Sequence, residues 1–128
     1  MSTLASRRTA IRTAAAQTLE HCPYHADRRI DFRTGATSLT QALILAAGGS
    51  IGAGRDWASE PEESEARDIL HEVARALLAE LGVTTPAGMS PCRVLARWER
   101  RTADPAAAYR LVGAHPAASH HLRLPVAA

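Results

Sequence analysis

The chain has 128 residues, of which 46% are hydrophobic and 22% are charged, and its formal net charge is +2. This length predicts a single domain that buries enough apolar surface to fold without a disulfide or a structural metal. All 15 basic residues are arginine, which excludes functions that need a lysine, such as P-loop phosphate binding or Schiff-base catalysis. Alanine occurs 27 times and β-branched residues are few, a composition that favours an all-α fold.

The charges are distributed unevenly along the chain. Residues 1–33 carry a net charge of +3, residues 34–81 carry −5, and residues 82–128 carry +4. This order predicts either that the acidic segment pairs with the basic segments inside the molecule, or that two basic surfaces face an anionic partner. Mixed charge on solvated helix faces is a third interpretation.

The cellular location is predicted from the cysteines and from the apolar runs. Two cysteines, Cys22 and Cys92, are too few for a disulfide framework in a chain of this size. The first residues do not form the apolar block of a signal peptide. The run of small and apolar residues at 42–54 is too short and too rich in glycine to span a bilayer. We therefore expect a cytoplasmic protein that does not enter a membrane.

The periodicity of apolar residues predicts a compact bundle of four to five helices over residues 1–113, followed by a loosely ordered, mobile tail over residues 114–128. A capping box from Ser59 to Glu62 begins the third helix, and Ser90 and Asp104, each followed by proline, begin the fourth and fifth. In chain order, the predicted helices start at residue 2 or 3 and run to 20, then cover 38–47, 59–81, about ten residues from 90, and 104–112.

Two connecting segments have patterns of their own. Apolar and charged residues alternate over residues 29–33, which predicts a short extended piece. The glycines at 48–54 predict a helix end and a flexible connector, because they lack the G-x-G-x-x-G spacing and the βαβ unit of a dinucleotide site. We also expect the apolar stripe from Ile69 to Leu81 to close over the short second helix and to leave no room for a reaction centre.

Sulfur and imidazole ligands occur together at the end of the first predicted helix. Cys22 and His25 are three residues apart and His21 is adjacent, a spacing that zinc can use. A closed structural site needs four ligands, and the rest of the chain has no second Cys/His pair. A histidine placed favourably at the negative end of the helix dipole is the alternative interpretation.

Cys92 is the second cysteine of interest. It follows the Ser90 cap by two residues, where the positive end of a helix lowers the pKa of a thiol and favours a nucleophile. The sequence does not single out a partner among the six histidines, so the favoured interpretation of Cys92 is burial of its thiol as a small apolar group. A solvated first helical turn, and not a metal cluster, accounts for the acidic residues that precede the third helix: Glu60, Glu62, Glu63 and Glu65.

Arginines surround the two C-terminal helices. These helices are joined by a three-residue turn and resemble the outline of a helix-turn-helix, with Arg at i, i+4 and i+7 on one face that could meet phosphates. The last helix is nearly bare of side chains that read base edges. The residues of this predicted nucleic-acid surface are Arg93, Arg97, Arg100 and Arg101, together with Arg7, Arg8 and Arg12.

The order of these features resembles a group of short, uncharacterised actinobacterial helical proteins. Trp98, Arg101 and Thr102 match the Trp and Arg-Thr positions of that group's C-terminal half. Glu99 and Arg100 replace the Asn-Asp that follows the Trp, and a Cys that the group carries before the second helix has no counterpart here. The resemblance implies an all-α fold and an actinobacterial source, and it implies no activity.

We predict a non-catalytic binding or regulatory module that acts through a protein partner, engaged at Trp57 and at surfaces beside the acidic third helix. Helix periodicity does not bury Trp57, whereas Trp98 lies on an apolar helix side, which favours a core anchor over a partner contact. A nucleic-acid-associated accessory protein is the alternative, and a small enzyme with a site at His21, Cys22 and His25 is a more distant one. We expect no cofactor. A homodimer would compensate for a thin, alanine-rich core.

Overall fold

A computed structural model describes residues 3–27 and 29–115, and these residues form five α-helices and one small two-stranded sheet. The predicted all-α bundle is confirmed. The elements, in chain order, are α1 (Leu4–His21), α2 (Leu39–Ala46), β1 (Ser50–Ile51), β2 (Ala58–Ser59), α3 (Ser64–Glu80), α4 (Pro91–Thr102) and α5 (Pro105–Val112).

Local capping chemistry sets the start of four helices. The Thr3 hydroxyl accepts a hydrogen bond from the Ser6 N–H at the start of α1, and the other three capped helices are α2, α4 and α5. The Ser38 hydroxyl accepts a hydrogen bond from the Gln41 N–H at the start of α2, and Ser90 accepts one from the Cys92 N–H at the start of α4. The Asp104 carboxylate caps α5 in the same way. These side chains satisfy N–H groups that have no partner inside the helix, and the starts of α2, α4 and α5 were predicted.

The third helix begins later than predicted. Its N-cap is Glu63, which makes no side-chain cap hydrogen bond, and the capping box from Ser59 to Glu62 does not form. Ser59 lies instead in β2, and the Glu60 carboxylate is hydrogen-bonded to side chains of α3 and of the α4 cap. Contacts distant in sequence have outweighed the local motif.

The glycine-rich segment is more ordered than the predicted flexible connector, because β1 pairs with β2 in antiparallel register. Glycine at position 49 lets the backbone approach Ser59 and Ile44 closely, because a Cβ atom there would overlap the Ser59 carbonyl oxygen and the Ile44 side chain. The Ala58 N–H donates a hydrogen bond to Gln41 Oε1 at 2.6 Å, which ties the hairpin to α2.

The strand predicted over residues 29–33 is wrong, since Asp31 forms only an isolated bridge with Ala36 around a turn.

The core lies at the junction of α1, α2, α3 and α4. The longest contact surface joins α1 to α2, and α1 also packs against α3 and α5. The apolar stripe of α3 is buried as predicted, but it packs chiefly against α1 and α4. The prediction that this stripe closes directly over α2 is therefore wrong, because α2 packs chiefly against α1 and α4. The leucines that are fully buried are Leu19, Leu39, Leu43, Leu70, Leu77, Leu78 and Leu95.

Ion pairs join α1 to α3 along their exposed sides. Arg7 bonds to Glu65 at 2.8 Å, Arg8 bonds to Glu72 at 3.0 Å, and Arg12 pairs with the Glu80 carboxylate at 3.5 Å. Of the three interpretations of the charge pattern, internal pairing of acidic with basic residues holds for this basic segment.

The ends of the described chain add two observations. Ala114 is buried and the His115 N–H donates a hydrogen bond to Glu20, so the first two residues of the predicted loose tail are held against α1 and α5. The remainder of that tail, residues 116–128, lies outside the described residues.

Among the residues that are described, no helix has both the length and the apolar character needed to cross a bilayer.

Candidate functional site

A cleft of about 240 Å³ opens between α2, β2 and the first turns of α4. Its walls combine apolar groups with polar and titratable ones. The hairpin bond between Ala58 and Gln41 holds one wall, and the Ser90 cap holds the start of α4 on the other. The lining residues are Thr40, Gln41, Ile44, Trp57, Ala58, Ser59, Glu60, Cys92, Arg93 and Ala96.

A cluster of titratable side chains lies at one side of this cleft. Glu60 Oε1 is 2.5 Å from His71 Nε2, and Glu60 Oε2 accepts a hydrogen bond of 2.6 Å from the Ser90 hydroxyl. Both Glu60 and His71 are about four-fifths buried, with side-chain exposures of 24% and 20%. Cys92 completes the cluster, because its Sγ lies within 4.8 Å of the ligand atoms of Glu60 and His71.

The thiol of Cys92 is buried, with 3% exposure. Burial raises the pKa of this thiol to about 12, and the negative charge of Glu60 adds to that rise. Of the two interpretations that the sequence offered for Cys92, burial as a small apolar group was favoured and is the one that the structure shows, because desolvation outweighs the pKa-lowering effect of the helix dipole. Cys92 is therefore a neutral thiol at neutral pH and is not an activated nucleophile. His71 was not singled out by the sequence, because only the packing of α3 against α4 brings it near Cys92.

Trp57 is partly buried and lines the cleft. The Arg55 guanidinium lies 4.7 Å from the centre of the Trp57 ring, a cation–π arrangement. Arg55 also lines a shallow neighbouring depression with Phe32 and Ile51, whose exposures are 65% and 37%. The Ile30 N–H donates a hydrogen bond to the Asp56 carbonyl oxygen and holds the Phe32 loop against the hairpin. Apolar and cationic groups thus lie together on the hairpin side of the molecule.

A buried carboxylate, that of Glu99 in α4, lies at the N-terminus of α2. It is 1% exposed and accepts hydrogen bonds from the Leu39 N–H at 2.8 Å, from the Thr40 N–H and hydroxyl at 2.8 and 2.5 Å, and from the Tyr24 hydroxyl at 2.7 Å. Burial raises the pKa of Glu99, and these four hydrogen bonds oppose the rise. Burial raises the pKa of Tyr24, and the negative charge of Glu99 and the hydrogen bond to Glu99 raise it further. Glu99 therefore joins α4, α2 and the Tyr24 loop.

This role of Glu99 was not predicted from the sequence, although a signal was present. Glu99 follows Leu95 by four residues and Cys92 by seven, so helical periodicity places it on the buried face of α4. Its neighbours Arg100 and Arg101 made the segment read as a charged surface.

The predicted metal ligands near the end of α1 are not the ligands that the fold brings together. His21 is exposed in the last turn of α1, and Cys22 and His25 are partly buried in the loop that follows. His25 Nδ1 accepts a hydrogen bond from the Asp27 N–H at 3.2 Å, and His25 Nε2 is buried without a partner among the described residues. Within residues 3–27 and 29–115, the one convergent group of three ligand side chains is Glu60, His71 and Cys92.

The predicted nucleic-acid residues separate into two groups. The arginines of α1 are engaged in the ion pairs with α3, whereas Arg93, Arg97, Arg100 and Arg101 are exposed on α4. None of the four forms an ion pair with another residue of the described ranges. α4 ends at Thr102 and α5 begins at Pro105, so the connection has two residues and not the predicted three, and α5 exposes only Arg110 among its long side chains.

The two tryptophans lie in different surroundings. Trp98 is partly buried and packs against the hydrophobic core, and it lines a separate depression of about 340 Å³ with Val83, Met89 and Arg97. The residues around Trp57 and those around Trp98 do not overlap. Both predicted partner contacts are thus partly buried and line a depression, and Trp57 differs in having the Arg55 guanidinium over its ring.

Comparisons with protein-family models, with curated proteins and with solved structures find no match. The resemblance to the actinobacterial helical proteins therefore stays a prediction.

Proposed function

We propose that this chain is a protein-binding module, and that the cleft beside Trp57 receives one side chain of the partner. The observation that carries the proposal is the pairing of a partly buried tryptophan with an arginine over its ring at the mouth of a cleft. Tryptophan and arginine dominate the energetic centres of protein interfaces, where they line pockets that exclude water.

The dimensions of the cleft support one inserted side chain and exclude a larger ligand. Its volume of about 240 Å³ is below the size of most small-molecule sites. Ile44 and Ala96 make part of its wall apolar, while Phe32 and Ile51 extend the apolar contact onto the neighbouring depression. The partner segment therefore carries an apolar or aromatic side chain.

The charge around the cleft specifies the partner further. Arg55 and Arg93 are exposed, and neither forms an ion pair with another residue that the structure describes. Opposite charge across an interface rim favours encounter and suppresses wrong partners. We expect the partner segment to carry acidic residues beside its apolar side chain.

The experiment selects random peptides displayed on phage against the full wild-type chain, without counter-selection, and then compares the affinity of the enriched peptides for wild type and for Trp57→Ala. The selected peptides share an apolar or aromatic residue next to an acidic one. They bind Trp57→Ala about 30-fold more weakly than wild type, as expected for loss of a central contact of about 2 kcal/mol. Arg93→Glu weakens binding, and the control Arg110→Glu, which reverses an exposed charge on α5, does not.

Failure of this selection has a definite meaning. Absence of enriched peptides, or peptides that bind wild type and Trp57→Ala equally, refutes the cleft as a protein-binding site. Weakening by Arg110→Glu equal to that by Arg93→Glu would show that only net charge matters.

A second candidate function is nucleic-acid association through α4. The observation in its favour is the row of four exposed arginines, whose intervening acid, Glu99, is buried and cannot neutralise them. Phosphate contacts make affinity depend on salt, and loss of one contact reduces the salt slope by about 1.

The test measures the affinity for random duplex DNA against salt concentration. The double variant of Arg97→Ala and Arg100→Ala lowers the slope by about 2. The matched control, Arg7→Ala with Arg8→Ala, leaves it unchanged because these arginines face α3. A chain that shows no binding at low salt, or equal slopes for both variants, contradicts this function.

A further inference from the structure

We propose that Glu60, His71 and Cys92 form a three-ligand site for a divalent transition metal, best suited to zinc, with a fourth position toward the cleft. This site goes beyond protein binding, and its test needs no partner.

The geometry of three elements creates the cluster. Glu60 follows β2, His71 lies on α3, and Cys92 lies in the first turn of α4, and their ligand atoms are all within 4.8 Å of one another. Zinc lies about 2.0–2.2 Å from nitrogen and oxygen ligands and about 2.3 Å from sulfur. A metal at the centre therefore requires the Glu60–His71 pair, now 2.5 Å apart, to separate by roughly an ångström. Side-chain rotation of Glu60 supplies that movement.

The chemistry of the donors selects the metal. A thiolate and an imidazole exclude magnesium and calcium, which prefer all-oxygen sites, and they suit zinc. Binding converts the Cys92 thiol to a thiolate and releases its proton to solvent. The charges of Glu60 and of the Cys92 thiolate then balance the charge of the ion, so the occupied site is neutral in its buried position.

The groups around the ligands hold them in place. The Ser90 hydroxyl donates to Glu60 Oε2 and accepts from the Cys92 N–H, so one residue orients two ligands. Hydrogen bonds of this kind to ligating carboxylates are typical of metal centres. Glu60 and Cys92 line the cleft, which gives a bound ion an open position for water or for a partner's side chain. Three protein ligands with one open position is the arrangement of zinc sites that exchange a ligand.

The experiment titrates the chelator-treated full chain with Co(II) and Zn(II). Co(II) bound to a thiolate in a tetrahedral site gives a charge-transfer absorption in the near ultraviolet and strong visible bands. We expect one equivalent to bind with that spectrum. The chain has two cysteines, so in Cys22→Ser the remaining thiol is Cys92. The spectrum persists in Cys22→Ser and disappears in Cys92→Ser, and circular dichroism checks that each variant keeps its helices.

His71→Gln supplies a second measurement if Cys92→Ser fails to fold. Loss of the imidazole weakens zinc binding about tenfold or more while the thiolate absorption in Co(II) remains. Three results would overturn the proposal: no saturable binding, a Co(II) spectrum without a thiolate band, or a band that Cys22→Ser removes. The last result would assign the metal to the loop that holds His21, Cys22 and His25.

Discussion

Replacing Tyr24 with phenylalanine removes one hydrogen-bond donor from the buried Glu99 carboxylate and leaves the aromatic ring in place. The lost contact is the bond of 2.7 Å from the Tyr24 hydroxyl to Glu99 Oε2. The ring of Tyr24 packs at 6.0 Å from that of Tyr109, and phenylalanine preserves this packing. The substitution therefore isolates the contribution of one hydrogen bond.

The size of the destabilisation follows from the charge of the Glu99 carboxylate, which accepts the hydrogen bond. A hydrogen bond to an ionised group contributes about 1.5–3 kcal/mol to stability. Removing the Tyr24 hydroxyl also removes the cost of burying that polar group, and this gain offsets part of the lost stability. At a pH above the native pKa of Glu99, where the carboxyl is ionised, we expect the free energy of unfolding to fall by about 1.5–2.5 kcal/mol, which lowers the melting temperature by roughly 5–10 °C in a domain of this size. Thermal and urea unfolding followed by circular dichroism measure both quantities.

The pH dependence of the destabilisation by Tyr24→Phe shows whether the lost hydrogen bond to Glu99 is its cause. Loss of a donor to the carboxylate raises the pKa of Glu99 beyond its already raised native value. The destabilisation by Tyr24→Phe therefore grows as the pH rises from the native pKa of Glu99 in wild type to its higher native pKa in the variant, and it is constant below and above that interval. Tyr109→Phe is the control, since this hydroxyl does not bond to Glu99. Equal effects of the two substitutions, or a change under about 0.5 kcal/mol for Tyr24→Phe, would refute the reasoning.

Three further predictions concern stability. Because burial raises the pKa of Glu99 above 4.5, its native carboxyl holds a proton to higher pH than the unfolded chain does. The stability of wild type relative to Glu99→Gln therefore declines as the pH rises above 4.5, and a flat difference across pH would contradict this. Gly49→Ala destabilises by about 2 kcal/mol or more in urea unfolding because its Cβ overlaps Ser59 and Ile44, whereas Gly52→Ala, which meets only the flexible Arg55 side chain, is nearly neutral. A soluble Gly49→Ala with wild-type stability would disprove the close approach. Arg8→Ala costs less than about 1 kcal/mol, and the cost disappears in high salt, because its ion pair is nearly half exposed; a cost that persists in salt would contradict this.

Sequence patterns predicted the elements whose causes are local. A serine or aspartate before a proline or an apolar run satisfies nearby N–H groups, so the starts of α2, α4 and α5 depend on a few adjacent residues. Helical periodicity likewise identified the buried face of α3. The pairing of the α1 arginines with α3 was one of three interpretations, and only packing selected it.

The candidate site depends on contacts between residues distant in sequence, and single-sequence patterns do not contain them. Glu60 belonged to a well-formed capping motif, yet in the fold it bonds to His71, 11 positions away, and to Ser90, 30 positions away. Cys22 and His25, three residues apart, offered a familiar ligand spacing, but the fold places Cys92 beside Glu60 and His71 instead. Proximity along the chain was a poor guide to proximity in space.

The proposal that Trp57 lines the partner site is tested most directly by the two indole N–H resonances of the chain in nitrogen-15 spectra. The chain has two tryptophans, so each signal reports on one depression. During titration with a selected peptide, we expect the Trp57 signal to shift in a saturable way while the Trp98 signal stays in place. A shift of the Trp98 signal with an unmoved Trp57 signal would contradict the proposed function.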